Sequence, residues 1–181
     1  MLLSMPGIGD PRFERVVIAM CLHDEEGALG LVVNNRMGNL TVRSLMEQLD
    51  INPGETPEDE MVMVGGPVEA GRGFVLHSAE YAGQSTIIVN GPKRPIWALT
   101  STLDVLKDIA AGKGPRRWLA TLGYTGWGAG QLDDEMIRHG WMAAPGDTSL
   151  FFDTPLEARW GAAFERQGVA VERLSAAAGQ A

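Results

Sequence analysis

The side chains that could carry covalent, metal or acid–base chemistry are few in this chain and widely spaced. Cys21 is the only cysteine. It falls inside the apolar run 16–22, where a thiol packs as a small hydrophobe and keeps its proton. A single cysteine also excludes an internal disulfide and any multi-cysteine metal cage. The three histidines, His23, His77 and His139, have no close pair in sequence, so no metal-ligand spacing is present. Asp24, Glu25 and Glu26 form an acidic run in what reads as a hairpin turn, a pattern that belongs to solvated loops. No Gly-x-Ser-x-Gly, Ser-x-x-Lys, His-Glu-x-x-His or phosphate-loop signature occurs. Catalytic residues, metal and cofactor are therefore all predicted absent.

Two clusters carry more information. The stretch 123–132 holds four glycines and Trp127, and it reads as a loop between a strand and a helix. Its Gly-x-Gly-x-Gly spacing and the acids Asp133, Asp134 and Glu135 at the helix start argue against a phosphate there. A loop binding a neutral ligand or a partner is the sharper reading, and a tight structural turn the plainer one. Lys113, Arg116 and Arg117 form the one dense basic cluster, read as a solvated loop.

The elements that must position these residues follow from periodicity and punctuation. Residues 16–22 and 28–34 read as strands of an early hairpin with its turn at 23–27. Thr41 is placed to cap a helix with Val42, Leu45, Met46 and Leu49 on one buried stripe. Residues 52–60, with two prolines, a glycine and four acids, read as a solvated loop. Strands are expected at 61–64, 74–77, 86–89, 96–100, 118–124 and 149–152, and helices at 101–111 and 133–139. Thr154, Pro155 and Glu157 have the spacing of a capping box ahead of a helix that buries Leu156, Trp160, Ala163 and Phe164. Residues 175–181 read as a frayed end. Strands in adjacent runs with interspersed helices give an α+β class with a mixed, partly antiparallel sheet.

At 181 residues, with 45% hydrophobic and 21% charged positions, the chain suits one globular domain, 1–181. Its longest apolar run is too short for a membrane span, and its first residues lack the layout of a secretory signal, so a cytoplasmic protein is expected. A formal net charge of -8 opposes contact with nucleic acid, and no basic recognition helix offsets it.

Over essentially its whole length the sequence resembles the bacterial YqgE/AlgH family. The resemblance rests on Asp10-Pro11-x-Phe13, Glu26-Gly27-Ala28-x-Gly30-Leu31-Val32-Val33-Asn34, Gly65-Gly66-Pro67-Val68 and Val75-Leu76-His77. It continues through Leu122-Gly123-Tyr124-x-Gly126-Trp127-x-x-Gly130-Gln131-Leu132, Gly140-Trp141 and Arg159-Trp160. The chain departs from the family pattern at Gly179-Gln180-Ala181, where Gly-His-Ala is usual, and at Met37, where proline is usual. The resemblance implies a barrel-like sheet with flanking helices. It also implies a link to transcriptional regulation, with no reaction or cofactor attached. The leading expectation is a non-enzymatic regulator or adaptor acting through a protein or small-molecule partner. Asn34, Gly66, His77, Gly126, Trp127 and Gln131 are its candidate surface, because polar, aromatic and glycine residues at strand ends are where function is usually carried. The alternative is an enzyme or redox protein holding a planar cofactor such as flavin between tryptophans in an apolar cleft.

Overall fold

The computed structural model describes residues 1–138, 140–171 and 174. The expectations placed on His139 and on 175–181 lie outside these residues. The fold is α+β: among the described residues ten strands make one mixed sheet, with five short α-helices packed on it.

The strands are β1 (Leu2–Ser4), β2 (Val17–Asp24), β3 (Gly27–Val32), β4 (Arg36–Thr41), β5 (Met61–Val64), β6 (Val68–His77), β7 (Thr86–Asn90), β8 (Pro95–Thr100), β9 (Trp118–Gly128) and β10 (Trp141–Ala143). They run β10-β1-β2-β3-β9-β6-β8-β7, with β5 beside β9 and β4 beside β5. Only β5–β9 is parallel. The early hairpin is confirmed, with its turn reduced to Glu25 and Glu26. Strands β1, β4 and β10 were not anticipated; two have only three residues, and β4 is polar and largely exposed.

The glycine-rich stretch read as a loop is strand as far as Gly128, the second half of β9, and a turn only at Ala129 and Gly130, where Gly130 takes φ 71° ahead of residue 131. Leu29 faces Gly126, Ala28 faces Trp127 and Gly27 faces Gly128 across the β3–β9 ladder. Gly123 within this stretch and Gly66 facing it admit close backbone approach: a Cβ on Gly123 would sit 2.4 Å from the Gly66 carbonyl oxygen, and one on Gly66 2.2 Å from the Tyr124 carbonyl carbon and 2.4 Å from the Thr125 nitrogen. No side chain fits there.

The helices are α1 (Val42–Gln48), α2 (Asp104–Ala110), α3 (Gln131–Ile137), α4 (Thr148–Phe152) and α5 (Arg159–Glu165). Thr41 caps α1 as predicted, its side chain accepting from the Ser44 amide. Val42 and Met46 are buried, but Leu49 is 40% exposed, so the stripe ends early. The following loop is tied down by Arg43 Nη1 donating to the carbonyls of Gly54 and Thr56, and Thr56 is buried rather than solvated. Residues 149–152 are helical, not a strand, because Asp147 accepts from the amides of Ser149 and Leu150 and starts α4. The predicted capping box does not form either. A 3-10 turn (Leu156–Ala158) precedes α5, Thr154 Oγ1 donates to the Ser149 carbonyl, and Glu157 pairs with Arg36.

Period-two alternation sorts the core. Val17, Ala19, Leu31, Leu76 and Leu119 point to one side, under Trp97, Phe151 and Phe164. Val75 and Ala120 point the other way, under α1 and α2. Val16, Ile18, Val32 and Trp127 form a third cluster with Leu132 of α3 and Trp141 of β10. The sheet coils until β7 nears β2. The Trp97 indole crosses that gap, donating to the Met20 carbonyl at 3.0 Å, beside a bulge in β2. No ladder joins β7 to β2, so the barrel suggested by the resemblance is left open.

Candidate functional site

The six residues singled out in the sequence are placed at several points of the fold. Trp127 and Gln131 come together around a carboxylate that sequence reasoning passed over. Trp127 Nε1 and Trp141 Nε1 donate to Glu135 Oε2 at 2.9 and 2.8 Å, and Gln131 Nε2 donates to Glu135 Oε1 at 2.9 Å. Gln131 Oε1 in turn accepts from the Gly128 amide. Burial alone would raise the Glu135 pKa, but the three donors outweigh it and hold the carboxyl below its ordinary value. The i, i+4 spacing of Gln131 and Glu135 on a helix was the available signal. This clamp locks α3 to β9 and β10. Gly126 and Trp127 border a shallow hollow with Leu22, Tyr124, Asp24 and Glu26.

Asn34 holds the other end of the β2–β3 pair. Its Oδ1 accepts from the Val17 amide and its Nδ2 donates to the Arg15 carbonyl, both at 2.9 Å. Gly66 lies against β9, as above. His77 is fully buried at the end of β6, with Nδ1 2.9 Å from the Ser78 carbonyl and Nε2 2.9 Å from Thr100 Oγ1. Burial pushes its pKa down, against smaller upward effects of the Ser78 carbonyl and Glu80.

Reactive groups are shielded. Cys21 is buried and its thiol pKa is pushed up to about 12, so the thiolate needed for nucleophilic work is suppressed. Among the described residues no three His, Cys, Asp or Glu side chains gather as a metal site. The indole nitrogens of Trp97, Trp127, Trp141 and Trp160 all donate within the protein.

A mostly apolar concavity lies elsewhere, between α1, α2 and the adjoining strands. It holds about 150 Å³ and is walled by Leu45, Leu106, Val75 and Leu122, with Leu49 and Leu103 at its lips. Those two leucines are 40% and 48% exposed, unusual for large apolar side chains. Gly71 and Gly73 of β6 stand at its exposed edge and leave it uncovered: a Cβ at Gly71 would meet nothing within 4 Å, and one at Gly73 only the Leu122 side chain at 3.8 Å. Thr121 is the one buried side chain without a hydrogen-bond partner among the described residues. Its hydroxyl lies toward Gly65, and Thr121 borders the cleft together with Thr100, Ser101 and Thr102, so the lining is mostly apolar with a polar strip. None of these cleft residues was chosen from the sequence; the Gly71-x-Gly73 spacing within a strand was the one hint.

An open, coiled ten-stranded α+β sheet with an apolar cleft under two helices describes the class of domain. The chain belongs to the AlgH-like family, whose model matches residues 1–172. A UPF0301 protein of Rhizorhabdus wittichii is 54% identical over 181 residues, covering 100% of this chain and 95% of the relative. One from Novosphingobium aromaticivorans is 48% identical over the same span. The solution structure of the AlgH protein from Pseudomonas aeruginosa is 41% identical and superposes with a TM-score of 0.79, over 99% of this chain and 93% of that one. A crystal structure of a Corynebacterium diphtheriae protein, DIP2367, shares the fold at 19% identity, with a TM-score of 0.72 over 92% and 84% of the two chains.

Proposed function

We propose that the protein is a non-enzymatic regulator or adaptor that works by seating an apolar group of a small molecule in the cleft between α1 and α2. The observation that carries this reading is the cleft itself: about 150 Å³ with mostly apolar walls, exposed leucines at its mouth and glycine at its open edge. A cavity of about this volume lined by aliphatic and aromatic side chains takes a benzene-sized guest. Its walls come from α1, α2, β6 and β9 together, so occupancy would bias how both helices sit on the sheet. The planar-cofactor alternative finds less support. A single ring fills the cleft, and four of the five indoles are committed to internal hydrogen bonds.

The test is titration of isotope-labelled protein with toluene. Saturable methyl shifts are expected at Leu45, Leu106 and Leu122. Gly71→Leu adds an apolar side chain at the cleft's exposed edge without a clash at Cβ; it is expected to keep the folded spectrum, cover the cleft and lose the titration. An absence of saturable shifts, or shifts that persist in Gly71→Leu, would overturn the reading.

A further inference from the structure

Far from neutral on average, the chain carries 23 acidic and 15 Lys or Arg residues. In such a chain arginines find partners easily, and most of the described ones have. Arg12, Arg36, Arg72, Arg117 and Arg166 each pair with a carboxylate. Arg43 and Arg159 donate to backbone carbonyls, and Arg15 lies over the Trp160 ring. Among the described residues that leaves Arg94, Arg116 and Arg138 without an ion pair, side-chain hydrogen bond or aromatic partner.

Two of those three border the same hollow. It holds about 360 Å³ and is formed where the β7–β8 turn meets the loop after β6, the loop before β9 and α4, with Arg94, Arg116 and Arg117 around it. Folding thus brings Arg94 from a distant segment to the basic cluster at 116–117. Phe152 and Ile96 supply an apolar side. The two carboxylates present are already engaged. Glu80 Oε1 accepts from Ser78 Oγ at 2.8 Å and from the Arg116 amide at 2.9 Å. Asp153 pairs with Arg117 at 3.0 Å, both about half exposed, an arrangement worth little and easily exchanged. Arg116 lies near enough to Glu80 to favour its charge, but not within ion-pairing distance.

We infer that this hollow is a binding site for a phosphate-bearing small molecule, with Arg94 and Arg116 as its principal anchors and Arg117 released from Asp153 to join them. Guanidinium forks match the paired oxygens of a phosphoryl group. The hollow is larger than one phosphate, leaving room for an organic part against Phe152 and Ile96. This site is distinct from the apolar cleft and does not depend on it.

The experiment is calorimetric titration with pyrophosphate, with glutarate as a dicarboxylate control and Lys107→Gln as a charge control. Lys107 is an exposed cation of α2 that does not border the hollow. Saturable pyrophosphate binding is expected, weakened about tenfold or more by Arg94→Gln combined with Arg116→Gln, from the loss of two charge-assisted contacts. Lys107→Gln should bind as the parent does, and all variants should melt as the parent does, since neither arginine side chain holds a hydrogen bond. Three results would overturn the inference: no saturable binding, glutarate binding as tightly as pyrophosphate, or equal weakening by Lys107→Gln.

Discussion

His77 is the residue whose chemistry the surrounding hydrogen bonds decide. The Ser78 carbonyl can only accept, so Nδ1 carries the proton and Nε2 of the neutral ring accepts from Thr100 Oγ1. Thr100 Oγ1 then accepts from Thr86 Oγ1 at 2.7 Å, which accepts from the Gly83 amide at 3.0 Å. A second ring proton would reverse this chain and leave the Thr86 hydroxyl competing for an acceptor. Protonation is thus opposed by burial and by the chain's direction, and the folded pKa lies below the ordinary 6.5. Between those two values the unfolded chain binds the extra proton and the folded one does not. The His77 contribution to stability is therefore full above about pH 6.5 and is lost as pH falls toward the depressed folded value. Thermal unfolding between pH 8 and 5 should show this slope in the parent and lose it in His77→Gln, and ring resonances should titrate below 6.5. A ring that titrates at or above 6.5 would contradict the assignment. Residue types such as Trp127 and Gln131 were legible as special in the sequence, whereas their common partner Glu135 looked like one acid among three. A carboxylate's donors are visible only after folding.

At the scale of elements, local signals succeeded where the chain's own neighbours decide the outcome. Thr41 caps α1 because the cap is a contact three residues long, and β5 starts and ends at the expected residues because an apolar run bounded by an acidic loop and glycines is unambiguous. Residues 149–152 differ because a run of three apolar residues, Leu150 to Phe152, suits either a buried strand or a helix, and the Asp147 cap decides for the helix. The glycines of β9 failed for a different reason. Glycine marks a turn when its freedom is used for φ, and a strand when its missing Cβ admits another backbone; the sequence looks the same in both cases. Gly66→Ala tests both at once, since Gly66 combines a φ of 155° with no room for a Cβ. Its Cβ would lie 2.2–2.4 Å from three backbone atoms of Tyr124 and Thr125, which cannot rotate away. A loss of more than about 3 kcal/mol is expected by chemical denaturation, against little change for Gly71→Ala, whose Cβ meets open space. A mild Gly66→Ala would mean that β5 and β9 can separate without cost to the rest of the sheet.

For the whole molecule the open question is what keeps an unclosed, coiled sheet coiled. Neither β7 nor β2 offers the other a ladder, so the sheet's curl rests on side chains reaching inward, and Trp97 does this most directly. It is 1% exposed, its ring lies 4.9 Å from that of Phe151 on α4, and its nitrogen reaches the Met20 carbonyl beside the β2 bulge. A bulge leaves backbone groups outside the ladder, and a buried carbonyl without a donor costs about 1–3 kcal/mol. Trp97→Phe keeps an aromatic ring against Phe151, removes the donor and leaves a void where the second ring stood. A loss of about 2–4 kcal/mol is expected from the two effects together. Its distribution matters more than its size. If the indole is the latch, amide exchange should rise first in β7 and β8, while β3 and the central part of β9, paired on both sides, keep their protection. Exchange that rises evenly over all strands would show that the curl is set by β6 and β9 at the centre of the sheet, with Trp97 contributing only its volume.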